Sequence, residues 1–532
     1  SIATPSTSYF GNLTSSKNTG GAPQTLTALT DIAVNGNFTF TNNQATFDAT
    51  NVTVKVAGNW NFSANTTFIS SGSTVLFNGN GAQSITNSAT SPTFNNIQFS
   101  GTGTKTFSNN AILVNGNMDI TGTNVGWGGA SVLTLMGNWL NTGGTGTFIP
   151  STGTVLLNGA AQNIGAAPFY NLTTSGTVGS VKTLTANVVL NNALVIGANT
   201  TLDVSPSNFT LSVGGNWTNS GTFTCGTGTV NLTGGNATIS SGTATGPATG
   251  FNFYNLTINK TASGNSATFG AGSDLVVLNN LAISVGTLAF QTSADAYVAG
   301  NFINGDIFTV NNIACQLNLT ATSGSKTFDP GTSVSNAYRN IIVNATGATY
   351  LLANNLQVSS GGVLTISGGT FQLNGKIVSL TGAAAGTTVV AVGAGTLYVD
   401  AGATLKLSDQ AVITINNASS VFKVVGSASN YAIVTTNSTA ATGYTINQSS
   451  GVFHAKYYTF SNLRTTGITL SGSTTIDATN NFSNGIFTSP SSTGLTQYLD
   501  VSGITLGTIT SLYTVFNTGT AGTKNVQASA GT

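Results

Sequence analysis

Few side chains in this sequence can do chemistry, and their spacing says how little of it is organised for catalysis. The one histidine, His454, lies in Val452-Phe453-His454-Ala455-Lys456-Tyr457-Tyr458-Thr459-Phe460, a stretch that also collects Lys456 and four aromatics. An imidazole that activates a nucleophile needs a hydroxyl or thiol on one side and a carboxylate on the other. No nucleophile motif accompanies His454, so a structural or surface histidine is expected. Acid–base cleavage of a glycan needs two carboxyls within a few ångströms of each other. The aspartates, among them Asp31, Asp48, Asp119, Asp203, Asp274, Asp295 and Asp306, are scattered, with Asp400 and Asp409 the nearest pair. They read as solvated turn caps. Gly270-Ala271-Gly272-Ser273-Asp274 partly matches a calcium-binding glycine–aspartate repeat. Such sites share an ion between tandem copies, and a single copy reads as a plain turn. No catalytic residue, metal ligand or cofactor is assigned, and the chain is expected not to be an enzyme. Phe453, His454, Lys456, Tyr457 and Tyr458 remain as a candidate ligand or partner surface, where aromatic faces could meet sugar rings or apolar patches.

Composition narrows the function classes further. The 532 residues carry 13 Lys plus Arg against 12 acidic residues, a net charge of +1, and every acidic residue is Asp. No basic stripe exists to neutralise phosphates, which argues against nucleic-acid binding. No apolar run reaches the length of a membrane-spanning helix. A surface of hydroxyls and amides with so few charges suits a secreted protein in a crowded assembly better than a cytoplasmic one kept soluble by repulsion. The start at Ser1 reads as a mature chain from which a signal peptide has been removed. The expected location is extracellular, at a cell surface.

The elements that must position these groups are strands. Thr, Val, Phe and Asn dominate, no helical periodicity is visible, and short apolar runs such as Thr74-Val75-Leu76-Phe77 recur between turns of Gly, Asn, Ser and Thr. The runs belong to a repeat of about 80 residues. Gly58-Asn59-Trp60 returns as Gly137-Asn138-Trp139 and Gly215-Asn216-Trp217, with a variant at Gly300-Asn301-Phe302. Gly146-Thr147-Phe148 and Gly221-Thr222-Phe223 follow two of the tryptophans. Then come Gln83-Ser84-Ile85 and Gln162-Asn163-Ile164, Phe94-Asn95-Asn96-Ile97, Tyr170-Asn171-Leu172 and Tyr254-Asn255-Leu256. A lysine strand closes the set as Lys105-Thr106-Phe107, Lys182-Thr183-Leu184 and Lys326-Thr327-Phe328. Each module is read as about eight short strands.

Separate sandwiches would need linkers, and the apolar rhythm runs through every module boundary. A solenoid explains that continuity, because each coil satisfies the open backbone groups of the next. The expected fold is therefore all-β, a parallel β-helix (β-solenoid), right-handed like crossovers between parallel strands, with about 20–27 coils at about 20–25 residues each. Like residues are expected to stack on like, with Asn amides bonding along the axis at the corners. Residues 1–30 are read as an N-terminal strand, cap or assembly segment, 31–375 as the repeat solenoid, and 376–532 as a less regular continuation. Cys225 and Cys315 should sit several coils apart, beyond the reach of a disulfide, and are expected unpaired. Lys105, Lys182 and Lys326 are expected as a solvated row that discourages edge pairing. Sequons at Asn12, Asn61, Asn171, Asn255 and Asn318 permit glycosylation without arguing for it.

The Gly-Asn-Trp, Gly-Thr-Phe, Gly-Thr-Val and aromatic-Asn runs, over about residues 30–375, resemble the β-strand repeats of bacterial surface and secreted proteins of the filamentous-haemagglutinin and autotransporter-passenger class. That resemblance implies a parallel β-helix with adhesive, scaffold or fibre roles, and it carries over no catalytic residue. Two functions are expected from different classes. One is an extracellular structural subunit that assembles with itself, end to end, by β-strand pairing through terminal coils or a strand donated from Ser1–Phe10 or Leu512–Thr532. The other is an adhesin or carbohydrate-binding stalk with glycans or cell surfaces as partners. A glycan-active enzyme on the same scaffold is a distant third.

Overall fold

The computed structural model describes the chain apart from residues 4–7, 16–23, 42–43, 88–92, 109–110, 144–145, 242–250, 311–313, 383, 439–441, 489–494, 506–510, 512, 518–523 and 529–532. The described residues form strands and turns with no helix, parallel coils stacked as a β-solenoid of about 20 turns. Two compact units divide at Gly242 and Thr243.

In the first unit, Ser1–Gly242, each coil contributes one strand to each of three columns. One column runs Leu13–Ser15, Phe38–Phe40, Trp60–Phe62, Gln83–Asn87 and Lys105–Ser108. Its register steps are Leu13 to Phe38, Phe38 to Trp60, Trp60 to Ile85 and Gln83 to Lys105, all parallel and 22 to 25 residues long. Alternation along each short strand sends one side chain in and the next out, as in Phe38–Phe40 and Thr74–Phe77. The inward set is a dry aromatic and aliphatic interior in which Phe38, Trp60, Phe77, Trp139 and Trp217 are fully buried. Burying each such ring contributes on the order of 1.5–3 kcal/mol.

The sequence repeat and the coil do not share a period. Eleven strands run from Trp60–Phe62 to the one before Trp139–Leu140, and eleven more to the one before Trp217–Asn219. That corrects the expected eight. With three strands per coil, one module falls one strand short of four full coils. Trp60, Trp139 and Trp217 therefore lie in three different sheets. Like does not stack on like from module to module, because the module is not a whole number of coils.

Ladders exist at shorter range, from coil to coil: inside, Phe40 stacks on Phe62 at 5.0 Å and Phe77 on Phe99 at 5.7 Å, and asparagines line up at the corners. The amide oxygen of Asn12 accepts the backbone N–H of Asn37, Asn37 accepts that of Asn59, and Asn59 that of Ser84, at 2.7–2.9 Å. Asn96, Asn117 and Asn138 repeat the pattern up to Asn163. The glycines before Asn59 and Asn138 are required by close approach. A Cβ on Gly58 or Gly137 would lie 2.3 Å from the backbone of Gly36 or Gly116 in the coil below.

The lysine row is not solvated. Lys105 and Lys182 are fully buried, and Lys326 is half-exposed. Lys105 Nζ donates to the carbonyls of Gly79, Thr102, Gly81 and Gly103 at 2.6–3.2 Å. Lys182 Nζ donates to Gly159. Glutamines stand directly beneath them: Gln83 aligns with Lys105 and Gln162 with Lys182. Gln83 Nε2 donates to the carbonyls of Val56 and Gly58, while its Oε1 accepts Gly79 N–H. Gln162 does the same with Leu135, Gly137 and Gly159. The cause is geometric. Turn carbonyls point inward, away from water, at the Gly-Asn-Trp corners met by the glutamines and at Gly79, Gly81, Thr102, Gly103 and Gly159 met by the lysines, and a buried carbonyl needs a donor. Burial lowers the pKa of Lys105, and pushes that of Lys182 and of Lys260 down to about 8.

In the second unit, Thr243–Thr532, two of the three strands per coil fuse into long bent ones, beginning with Asn340–Leu352 and continuing through Leu364–Gln372, Thr388–Val399, Tyr444–Lys456 and Leu463–Ser483. The regular short-strand pattern thus ends at Asn340, earlier than the expected 376. Coil length varies from the 21 residues between Leu275 and Ala296 to the 33 between Ile413 and Ile446. The longer coils bring the total to the low end of the expected number.

Candidate functional site

The aromatic stretch is split by strand alternation. In Tyr444–Lys456, Phe453 and Ala455 point inward while His454 and Lys456 point outward. Tyr457 turns the corner with φ of 50°, and Tyr458–Phe460 begins the next sheet. Phe453 and Tyr458 are fully buried. Phe453 stacks on Phe482 at 5.1 Å, and Tyr458 donates its hydroxyl to the Phe482 carbonyl at 3.1 Å. Of the five residues expected on one surface, these two are core. The period of two in a strand, applied to a run of apolar residues, makes that assignment.

His454, Lys456 and Tyr457 remain outside. Register aligns His454 with Lys423 and Lys423 with Tyr398, so three coils contribute one outward row. Lys423 Nζ lies 4.0 Å above the Tyr398 ring. His454 Nδ1 lies 3.5 Å from Asp477 Oδ1 and 3.4 Å from Asn480 Nδ2. Burial lowers the imidazole pKa, Asp477 opposes that shift, and Lys423 adds to it. Burial alone would raise the Asp477 carboxyl, but N–H groups of Asn480 and Thr479 and the neighbouring imidazole hold it below its usual range. The pair fixes the ring in place. Among the described residues no hydroxyl or thiol bonds to His454, so the nucleophile side of a triad is not assembled around it. This row was invisible in the sequence, because its members are 25 and 31 residues apart and only the observed register aligns them.

The carboxylates act as backbone acceptors. Asp400 accepts from Gly375 N–H and Gln372 Nε2, and Asp409 from Gly443 N–H and the Thr442 hydroxyl. Asp274 Oδ1 accepts Asp295 N–H, and Asp295 Oδ1 accepts Gln316 N–H, at 2.9 and 2.7 Å. The glycine–aspartate turn thus continues a corner ladder like those of asparagine. Cys225 and Cys315 are buried thiols. Cys315 Sγ is 3.1 Å from the Gln291 carbonyl, and burial pushes its pKa up.

The two segments expected to donate strands are docked on their own chain. Ile2 bridges to Ala28 and Phe10 to Val34, with residues 4–7 outside the described set. Val515–Phe516 pairs with Ile486–Phe487, and Lys524–Gln527 with Gln497–Gly503; Leu512 lies outside the described residues. Among the described residues these last two strands are bonded on one side only. Val515 and Val526 are each about half exposed, and Val526 lines an apolar cavity of about 430 Å³ together with Phe482, Phe487, Leu499 and Phe516.

No protein-family model, curated protein or solved structure matches the chain.

Proposed function

We propose that this protein is an extracellular structural subunit that assembles by pairing of exposed coil edges. The observation that supports the reading is where the polar side chains go. Asparagine amides, buried glutamines, caged lysines and most aspartates bond one coil to the next, so the polar chemistry of the chain is committed to holding coils in register. A low-charge surface of hydroxyls and amides supports life in a crowded extracellular assembly. The strands Val515–Phe516 and Lys524–Gln527 supply a template for strand addition, since an unpaired edge with exposed apolar side chains recruits another strand.

The test is concentration-dependent sedimentation and electron microscopy of the full chain, beside a variant carrying Val515→Lys and Val526→Lys. Charged edge residues oppose pairing. Assembly by the parent chain that is lost in the variant is the expected result. Monodisperse single particles at high concentration, or assembly indifferent to both lysines, would refute the reading.

A further inference from the structure

A second feature of the Thr243–Thr532 unit is independent of assembly. Pro330–Asn336 stands off the coil as a loop, and a groove of about 450 Å³ opens between it and the neighbouring sheet. Three successive strands form the floor: Leu356–Val358, Ile377–Leu380 and Thr404–Leu407. Their register aligns Gln357 with Ser379 and Ser379 with Lys406. Neighbouring strands lie about 4.8 Å apart, so an amide, a hydroxyl and an ammonium form a straight row about 10 Å long.

The wall is held by a buried polar network. Asn304 and Tyr338 are each 2% exposed. Asn304 Nδ2 donates to the Pro330 carbonyl, the Asn336 side-chain oxygen and the Tyr338 hydroxyl at 2.9–3.1 Å. Tyr338 donates its own hydroxyl to Pro330 at 2.9 Å. Asn336 also accepts Phe308 N–H and donates to Pro330. At the foot of the loop, Asp329 accepts from Gly331 N–H and Asn354 Nδ2, both at 2.8 Å. A solenoid corner needs no such excursion. Satisfying that many buried polar atoms fixes the loop, and a fixed wall lowers the ordering cost of binding.

The lining chooses the ligand chemistry. Lys406 is the one charged residue that lines the groove among the described residues. Its side chain has no hydrogen bond or ion pair among them, and neither do the side chains of Gln357 and Ser379, whose backbones are paired in the sheet. The aromatic ring at the groove, Tyr338, is buried and offers no face on which a neutral sugar could stack. Hydrophobic anchors for a peptide are few. We propose that this groove binds an acidic saccharide, its carboxylate on Lys406 and its hydroxyls on Ser379 and Gln357.

The experiment uses calorimetric titration of the full chain with a galacturonate trimer, its carboxyl-reduced neutral counterpart, and acetate, all at low ionic strength. The trimer should bind at least tenfold tighter than the neutral counterpart and than acetate. Lys406→Gln should remove that preference, and Gln357→Ala should weaken both saccharides. Lys55→Gln, at an exposed lysine on another sheet, should change nothing. The preference measured on the unsubstituted chain stands whether or not a variant folds. Equal affinity for the charged and neutral trimers, no binding of either, acetate binding as tightly as the trimer, or a folded Lys406→Gln chain that keeps the preference would each overturn the proposal.

Discussion

Replacing Lys105 by Met tests whether the interior lysines hold the coils together or merely tolerate burial. The substitution keeps the length and apolar character of the stem and removes the ammonium. Four carbonyls, of Gly79, Gly81, Thr102 and Gly103, then lose their donor inside a region where Lys105 itself is fully buried. A hydrogen bond to a charged group is worth about 1.5–3 kcal/mol, and each orphaned carbonyl costs about 1–3 kcal/mol. Relief of the desolvation that lowers the lysine pKa opposes this. Because no charge is left behind, that relief offsets much of the cost, and a net loss of about 1–3 kcal/mol is expected. A 532-residue solenoid need not unfold in one step, so the readout is local. Hydrogen exchange at residues 79–107 should accelerate, and the fluorescence of Trp127, whose ring is 5.2 Å from Phe107, should change at lower denaturant. Lys326→Met, at a half-exposed lysine, should shift neither by more than about 0.5 kcal/mol. Equal protection of residues 79–107 in the parent and Lys105→Met chains would show that the carbonyl cage contributes nothing.

Three further outcomes are expected. Lys182 and Lys260 sit at about 8 in the fold and near 10.5 when free. Below about 8 they are charged in both states and their burial cost is borne in full. Above it the native lysine releases its proton first, so stability should rise with pH by up to about 1.4 kcal/mol per unit for each lysine. Urea midpoints between pH 8 and 9.5 should therefore climb in the parent chain and flatten in a Lys182→Met, Lys260→Met double variant; identical slopes would refute the shift. Trp139 Nε1 is buried with no acceptor among the described residues, and Phe302 fills the same motif position. Trp139→Phe should thus cost under about 1.5 kcal/mol, whereas Trp139→Ala should cost about 3–5 kcal/mol by thermal or urea unfolding. Gly137→Ala should destabilise by about 1–3 kcal/mol, because its Cβ meets backbone at 2.3 Å. Gly264→Ala, with nothing within 4 Å, should not.

The all-β class, the parallel stacking and the asparagine corners were legible because they follow from local composition and spacing. A run such as Thr74–Phe77 between glycine turns has few alternatives. Coil register was not legible. Whether Gln83 lies beneath Lys105, or His454 beside Lys423, depends on turn lengths that vary by several residues from coil to coil. The lysines were misplaced for a related reason. A lysine in a Thr-rich strand reads as a surface residue until the unsatisfied carbonyls it answers are known, and for Lys105 two of the four, Gly79 and Gly81, belong to another coil. The groove at Pro330–Asn336 gave no signal either, since Gln357, Ser379 and Lys406 are ordinary surface types that only register brings into line.

The mismatch between module and coil has a physical consequence. If a module were four whole coils, identical strands would recur on one sheet, and a chain slipped by one module would pair nearly as well as the native one. Because a module falls one strand short, that slip would also require a rotation onto the next face. Register is thereby specified by differences between neighbouring coils. What repeats is then a local solution at three of the Gly-Asn-aromatic corners, whichever sheet they fall on; at Gly215-Asn216-Trp217 the aligned residue is Ala237, which has no donor to offer. The inward carbonyls at Val56 and Gly58 are met by Gln83, and those at Leu135 and Gly137 by Gln162. At Gly300-Asn301-Phe302, Lys326 occupies the aligned position half-exposed, and Tyr350 from the following coil donates to Val298 and Gly300 at 2.8 and 3.2 Å. A phenol reaching across two coils replaces an amide reaching across one. The donor changes and the requirement stays, which ties the repeat to backbone satisfaction more than to any residue that recognises a partner.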